Sequence, residues 1–461
     1  MAQAAIGWLR QTPAQRVALA TFVSILQCVR ELELGPQVMK RSILLLGGIF
    51  ALGIVSAGAL DSRPIRKVTL SGNSSSEQDK AAPGSLTESS HKTALIVQTA
   101  LEAEYPFYHT TTALQQEVHA LQDKCHGALS IAKESDEGVN IDVITLRKKG
   151  ASPINRVFFL FGEHSRELIS PESGAELLKT LCGKEGDSLS QLLEESEFQM
   201  ILNGNPRSRV KVEEGDYCLR TNPSGVDLNR NWDEKWTDEE LPAAPAATNP
   251  GPKPFSEPET RIFRRVVSKF NPTTFVTVHS GTRGMYMPWA YDMEHLAQFN
   301  QPAMLEVLRT LDKSYCQCPF GAAGREVGYP CPGTCLDWVY DNLKTPYVFA
   351  FEIYTSPENS ESLQTRWEDE VADGAMALLQ QGDHLGHEQF RQLFQEHPSD
   401  FVSLSQQKSG EAQSSESCFR AFNPTQEAEY RQVLQNWVSA YMDMSKLIAA
   451  RLKANMTKAQ V

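Results

Sequence analysis

Three short runs of consecutive apolar residues constrain the fold of this chain most strongly. They are VFFLF at residues 157–161, FVTV at 275–278 and YVFAF at 347–351. Runs of this length without polar alternation are typical of strands buried on both faces of a sheet. A helical pattern, TTALQQEVHALQDKC at residues 111–125, precedes them. Strands that alternate with helical stretches predict an α/β fold with a mixed, largely parallel central sheet sandwiched by helices.

Side chains with metal-binding chemistry stand where the first two runs end. GEHSREL, residues 162–168, places His164 and Glu167 directly after the first run, and His279 follows the second. Open α/β sheets bind their ligands at the carboxyl ends of the strands. Catalytic zinc sites commonly use three protein ligands from His, Glu and Asp and leave one position open. The pattern therefore predicts a zinc site, although a lone His-x-x-Glu also occurs in ordinary charged turns.

A carboxylate, Glu352, directly follows the third run. Side chains alternate along a strand, so Glu352 shares one face with Val348 and Ala350. A buried carboxylate is costly unless it has partners, which makes this residue a candidate for chemistry. An edge strand exposed to water is the alternative explanation.

The charge balance excludes one class of partner. The chain has a formal net charge of −13 and a pI near 5.4. A general nucleic-acid binder normally shows a basic face, so we expect no nucleic acid partner.

The N-terminal region has the order of a secretory leader. Residues 42–60 are uncharged and mostly apolar, MKR at 39–41 precedes them, and Ala57-Gly58-Ala59 closes them. Basic, apolar and small-residue regions in this order predict a signal peptide at 39–60, with residues 1–38 as an upstream extension. The alternative is an uncleaved signal anchor. Either reading places the rest of the chain in a lumen or outside the cell.

Residues 61–104 are rich in Ser, Gly and charge, which predicts a low-complexity linker.

The cysteines agree with an oxidising compartment. Beyond Cys28 the chain has eight, an even number, as a disulfide framework requires. Their pairing cannot be derived from the sequence. A zinc site is the alternative for the cluster Cys316, Cys318, Cys331 and Cys335.

Five motifs in a fixed order resemble those of the zinc metallocarboxypeptidases, the carboxypeptidase A and B family. They are HSRE, GVDLNRNW, SEPET, VHSG, and CLDW followed by FAFEIY. The resemblance covers residues 105–455 and implies one catalytic domain with a polar insertion at 357–421. His384, His387 and Glu388 lie in this insertion, where an exposed polar loop explains them better than a second metal site.

The resemblance implies a role for each matching position. It implies one Zn²⁺ bound by His164, Glu167 and His279, with water attacking a carbonyl and Glu352 acting as general base and then acid. The other positions, with their implied roles, are Asp227 orienting His164, Arg220 polarising the scissile carbonyl, Asn229, Arg230 and Tyr329 holding a terminal carboxylate, and Arg166 contacting substrate further from the terminus.

Two further positions decide the expected substrate preference. Members of the family that remove basic residues carry an acidic pocket residue at positions matching Leu336 or Ala290. Both are uncharged here, which predicts a preference for peptides with hydrophobic C-terminal residues. Separately, we expect the protein to be a monomer. Asp292 is the nearby residue that could reverse this. A catalytically silent peptide-binding relative, or an amide hydrolase of the same fold acting on acylated amino acids, remain alternatives.

Overall fold

An eight-stranded sheet organises the part of the chain that the structure, a computed structural model, describes: residues 98–125, 127–183, 192–239, 247–357 and 414–459. These residues belong to one unit, Thr93–Val461. The predicted leader, most of the predicted linker and most of the predicted insertion, with His384, His387 and Glu388, lie outside the described residues.

The sheet is mixed, with a parallel centre, as predicted. Its strand order is β1-β2-β4-β3-β5-β8-β6-β7. Strands β4, β3, β5 and β8 run parallel, and β1, β2 and β6 pair antiparallel to their neighbours on the inner side. The strands are β1 (Leu129–Asp136), β2 (Val139–Leu146), β3 (Asn155–Phe161), β4 (Ser196–Ile201), β5 (Thr274–His279), β6 (Arg283–Met287), β7 (Phe320–Ala322) and β8 (Tyr347–Ile353).

Helices cover the sheet. They are α1 (Ala100–Glu104), α2 (Thr111–Lys124), α3 (Ile169–Gly183), α4 (Pro206–Glu213), α5 (Pro258–Phe270), α6 (Gln301–Leu311), α7 (Ala323–Val327), α8 (Cys335–Leu343), α9 (Ser415–Phe422) and α10 (Glu427–Ala459). A short 3-10 helix spans Leu228–Arg230.

Neighbouring aromatic residues of β3 show that helices lie on both faces of the sheet. Phe158 stacks with Phe275 and packs near Phe270 of α5. Phe159, the next residue, packs against Tyr441 of α10 instead. Because successive side chains of a strand point to opposite faces, α5 and α10 cover opposite faces. Both faces of the central strands are therefore buried, which explains their unbroken apolar runs.

Strand β8 lies inside the sheet, between β5 and β6. The edge-strand explanation for Glu352 is therefore wrong. The predicted alternation of β8 is confirmed, because Phe351 packs against Trp437 of α10 while Glu352 lies opposite His279 of β5. Glu352 and His279 consequently project from the same face of the sheet.

The predicted linker ends earlier than residue 104. Thr99 caps α1 by accepting the Glu102 N–H, and the Glu102 side chain accepts from the Thr99 N–H in return. Leu101 is fully buried. Because of this capping box and the buried leucine, the last residues of the predicted linker belong to the folded domain.

The described cysteines form three disulfides: Cys125–Cys182, Cys218–Cys418 and Cys316–Cys318. Cys331 and Cys335 are free and buried, so the expected full pairing of eight cysteines is wrong. Their sulfur atoms face different partners, the Tyr329 carbonyl and the Glu163 carboxylate. The four-cysteine zinc site is wrong too, because Cys316 and Cys318 are bonded to each other.

Among the described helices, none combines the length and the apolar character that crossing a bilayer requires. The candidate segment at 42–60 lies outside the described residues.

Candidate metal centre

Two adjacent parallel strands deliver the three predicted metal ligands. Residues 162–168 leave the carboxyl end of β3 and carry His164 and Glu167, while His279 is the last residue of β5. Gly162 allows the sharp exit, because its φ is +70° and a Cβ there would lie 3.1 Å from the Leu202 carbonyl oxygen. Phe161 and Val278 are register partners, which brings the two strand ends together.

The three side chains converge on one point. His164 Nδ1 lies 2.7 Å from Glu167 Oε1 and 3.1 Å from His279 Nδ1. His279 Nδ1 lies 3.1 Å from Glu167 Oε2, and all three residues are buried. Among the described residues, this is the group of His, Cys, Asp and Glu side chains whose geometry could hold a metal ion.

The donor set fits zinc. Two imidazole nitrogens and a carboxylate oxygen are ligands that zinc prefers in catalytic sites. Lone pairs this close repel one another unless a cation lies among them. The surroundings favour positive charge, since Glu167 raises the pKa of His279 to about 9 although burial opposes it. Burial likewise opposes ionisation of Glu167, yet His164 and His279 hold its pKa far below the usual range.

Asp227 contacts the first histidine. Its Oδ1 lies 3.1 Å from His164 Nε2, the nitrogen that faces away from the cluster. The same carboxylate caps the 3-10 helix by accepting the Asn229 N–H at 2.9 Å. Although burial opposes it, Arg220 and His164 hold the pKa of Asp227 well below its usual range. An ionised carboxylate fixes the ring with Nδ1 free to bind metal.

Glu352 stands beside these ligands without being one of them. It pairs with His279 in register and is half-buried. Its Oε2 has no hydrogen-bond partner among the described residues. Burial, with the nearby charge of Glu167, raises the pKa of Glu352 to about 7.

Two arginines stand around the cluster. Arg220 Nε donates to Asp227 Oδ2 at 3.0 Å, and its Nη1 lies 3.5 Å from Glu167 Oε1. Arg230, at the end of the 3-10 helix, donates to the Asn229 carbonyl at 2.7 Å. Both are half-buried, so each guanidinium keeps donors for another group.

Asn229 is held in place next to His279. Its Oδ1 accepts the Cys335 N–H at 3.0 Å. Its Nδ2 then lies 3.4 Å from His279 Nε2.

Arg166 and Tyr329 lie near the same charged groups, since both interact electrostatically with Arg220 and Glu352. Arg166 stacks over the Phe422 ring at 3.9 Å and donates to the Cys218 carbonyl. Burial and nearby Arg220 lower the pKa of Arg166 to about 10. Burial, and then the neighbouring Cys331, raise the pKa of the Tyr329 phenol, although Arg230 opposes them.

The two predicted pocket positions are apolar and buried. Leu336 is 2% and Ala290 3% exposed. They are joined through Asp337, whose carboxylate accepts the Ala290 and Tyr291 N–H groups at 2.9 Å. Asp292 faces its own turn, where it accepts the Glu294 and His295 N–H groups and pairs with the His295 ring.

Sequence reasoning missed two residues behind His279. Glu163 is 1% exposed, and its Oε2 accepts a hydrogen bond from Thr277 Oγ1 at 2.9 Å. Thr277 Oγ1 in turn lies 2.8 Å from His279 Nε2. A carboxylate directly after a wholly apolar strand is a signal that could have pointed to Glu163.

Comparisons with known proteins agree with the motifs. The sequence model of the zinc carboxypeptidase family matches residues 114–373. A zinc carboxypeptidase of Simulium vittatum is 24% identical over 278 residues, 56% of this chain and 90% of the relative. Carboxypeptidase A6 of Homo sapiens is 28% identical over 272 residues, 54% of this chain and 60% of the relative. The chain therefore spans about three fifths of the second relative's length.

One solved structure extends the comparison. The crystal structure of thrombin activatable fibrinolysis inhibitor is similar to this chain with a TM-score of 0.49 and 22% sequence identity. The similarity covers 53% of this chain and 66% of that chain.

Proposed function

The chain belongs to the zinc carboxypeptidase family, and from that membership we propose that it hydrolyses the C-terminal peptide bond of peptides or proteins. The observation that carries the proposal is the position of Glu352. A carboxylate with a free oxygen projects from the same face as His279, one strand away, beside a site that fits zinc. A metal site without such a group would bind an ion and have no base.

The metal ligands and Glu352 have different roles in the proposed reaction. When bound by His164, Glu167 and His279, Zn²⁺ supplies Lewis acidity toward the scissile carbonyl and the attacking water. Glu352 takes a proton from that water and gives one to the leaving amine nitrogen. A pKa near 7 suits both transfers at neutral pH.

Arg220 stabilises the negative charge that develops on the carbonyl oxygen during attack. Its guanidinium is anchored through Nε on Asp227, which leaves other N–H groups to aim at the substrate. A donor already fixed in place needs no reorganisation as the charge appears, which makes it effective in the transition state.

The terminal carboxylate binds at the 3-10 helix. Arg230 presents a planar guanidinium that matches a carboxylate with two parallel hydrogen bonds. In this proposal Asn229, the preceding residue, and Tyr329, whose phenol interacts electrostatically with Arg230, complete the clamp, and Arg166 contacts the chain further from its end. A fixed clamp for a free terminus restricts cleavage to the last peptide bond.

We infer a preference for hydrophobic C-terminal residues. Leu336 and Ala290 offer no charge to a basic side chain. Asp292 is held by its own turn and by His295, so it is not available to the pocket. An apolar side chain therefore binds without burying an unpaired charge.

A panel of peptides that differ only in their last residue tests the function. We expect peptides ending in Phe or Leu to be cleaved with a kcat/KM at least about 10-fold above those ending in Arg or Glu. A preference for Arg would refute the pocket assignment. Cleavage inside the peptides would refute the exopeptidase assignment.

We also propose that the protein works in an oxidising compartment, as a secreted, lumenal or membrane-anchored protein. Three disulfides support this, because such bonds persist mainly outside the cytosol. Sequencing the N-terminus of the natural protein tests the leader: a mature chain that retains residues 39–60 would contradict cleavage and favour an anchor.

A further inference from the structure

We propose that Thr277 and Glu163 form a hydrogen-bond relay that positions His279 for metal binding. The inference rests on the proposed zinc site but not on the proposed peptidase activity. It assigns positioning roles to two residues that do not touch the metal or the substrate themselves.

The relay begins at the outer nitrogen of His279. Nδ1 faces the other two ligands, at 3.1 Å from both His164 Nδ1 and Glu167 Oε2. Nε2 is thus the nitrogen that must carry the proton if Nδ1 is to offer its lone pair to a metal. Thr277 lies two residues earlier on β5, on the same face of the strand, with Oγ1 2.8 Å from Nε2.

The direction of the relay follows from counting protons. A threonine hydroxyl has one proton to donate. Thr277 donates it to Glu163 Oε2 at 2.9 Å, because a carboxylate can only accept. The hydroxyl oxygen is then left to accept, and the His279 Nε2–H is the donor that faces it.

Among the described residues, no other acceptor lies within hydrogen-bond distance of His279 Nε2. The Asn229 amide presents its Nδ2, a donor, at 3.4 Å from His279 Nε2, since Cys335 N–H occupies its oxygen. Glu163 Oε2 itself lies 3.6 Å from His279 Nε2, beyond a good hydrogen bond but close enough to stabilise the N–H electrostatically. The Cys335 thiol donates to the same carboxylate oxygen.

The two metal-binding histidines are therefore held differently. His164 bonds directly to the Asp227 carboxylate, whereas His279 reaches Glu163 through one hydroxyl. Both arrangements fix the ring and its tautomer, and groups in such positions typically contribute about 10–100-fold in metal affinity. Removing the hydroxyl frees the ring and leaves a buried N–H without an acceptor.

Zinc affinity of the full chain, measured by competition with a chromophoric chelator, tests the relay. We expect Thr277→Val to weaken zinc binding by about 10–100-fold and Thr277→Ser to stay within about threefold of wild type. Thr274→Val is the matched control, because Thr274 is equally buried on β5 but bonds to Asn155 at the far end of the strand. Its zinc affinity should not change.

A double-mutant cycle tests whether the two residues act as a unit. Glu163→Met removes the carboxylate while keeping a similar length, and should weaken zinc binding as Thr277→Val does. The double variant should bind zinc no more weakly than either single one, since either change breaks the same relay. Additive losses would overturn the relay, and so would a Thr277→Val protein with wild-type affinity.

Thermal unfolding of each metal-free variant controls for folding. If Thr277→Val does not fold, Thr277→Ala and Thr277→Ser make the same comparison, with the same two outcomes. The result also separates the two proposals. A wild-type protein that binds zinc but cleaves no peptide would refute the proposed function alone, and an active enzyme whose zinc affinity is unaffected by Thr277→Val would refute the relay alone.

Discussion

The fold buries two groups of charged side chains that differ in whether their hydrogen bonds are complete. The site cluster consists of His164, Glu167, His279, Asp227 and Glu352. The structural cluster consists of His109, Glu172, Arg209, Glu213 and Tyr430, and joins α2, α3, α4 and α10.

The structural cluster is satisfied. Glu172 is 1% exposed and accepts from the His109 N–H, the His109 ring and the Tyr430 hydroxyl, using both carboxylate oxygens. Arg209 donates to Glu213 and to the His109 carbonyl. Charges closed on one another in this way hold elements together.

The site cluster is not satisfied. Glu352 Oε2 and, beside it, Arg166 Nε are buried without a hydrogen-bond partner among the described residues. Arg166 and Glu352 both interact electrostatically with Glu167, so a metal and a substrate bound beside Glu167 would supply partners. The difference teaches that burial of charge alone does not mark a site. What distinguishes the site cluster is that the unused hydrogen-bonding capacity lies on a carboxylate beside the candidate metal ligands.

The largest expected effect is a loss of activity from a substitution in the site cluster. Glu352→Gln should lower kcat by about 10²–10⁴-fold, because an amide cannot accept and return a proton. Zinc content, measured by metal analysis, should remain one per chain, since Glu352 is not a ligand. Undiminished hydrolysis would mean that another group is the base.

Substitutions in the structural cluster should lower the stability of the fold and leave the activity unchanged. Glu172→Leu leaves the His109 N–H and the Tyr430 hydroxyl without their acceptor and removes the buried negative charge 3.7 Å from Arg209 Nη2. It should lower the free energy of unfolding by about 3–5 kcal/mol. Chemical denaturation of the zinc-loaded protein measures this. The half-buried Glu176, one turn later, is the control, and Glu176→Gln should cost less than about 1 kcal/mol. A loss of kcat in a folded Glu172→Leu protein would contradict the assignment of Glu172 to a purely structural cluster.

A smaller effect concerns substrate recognition. Arg230→Ala should lower kcat/KM about 10–100-fold for peptides with a free C-terminus, since it removes charge-assisted hydrogen bonds to the carboxylate. Arg431→Ala, on the exposed face of α10, should change nothing. An equal loss from both variants would show a non-specific charge effect.

The smallest expected effect is the pH dependence of the structural cluster. Hydrogen bonding to Glu172 raises the pKa of His109 above 6.5, so its stabilisation is complete below pH 6.5 and is lost as pH rises through the raised pKa. Burial opposes ionisation of Glu172, but His109 lowers its pKa below 4.5, so that stabilisation is lost as pH falls through the lowered value. The pair therefore contributes fully between pH 4.5 and 6.5.

Denaturation of His109→Gln across pH checks this. The difference from wild type should reach about 1 kcal/mol inside that window and shrink above it. His119→Gln, at an exposed position of the same region, should show no such window. A constant difference across pH would contradict the assignment.

The sequence predicted the parts of the site that come from local patterns. The strand runs located His164, Glu167, His279 and Glu352, because each follows or ends a run whose burial is visible in its composition. The alternation along β8 also predicted correctly which face Glu352 occupies.

The rest depended on contacts between distant segments. Glu163 and Thr277 are 114 residues apart, and only the register of β3 beside β5 brings them together. Glu172 and Tyr430 are 258 residues apart. The disulfide between Cys218 and Cys418 spans 200 residues, so an even count of cysteines predicted bonds but neither their pairs nor the two free thiols.

The most direct test of the site cluster uses one peptide in two forms, with a free and with an amidated C-terminus. Both forms are given to the full chain before and after zinc removal. The zinc-loaded protein should release the terminal Phe from the free form only. A chelator should abolish the release, and one equivalent of Zn²⁺ should restore it. Equal cleavage of both forms, or cleavage that survives metal removal, would contradict the account.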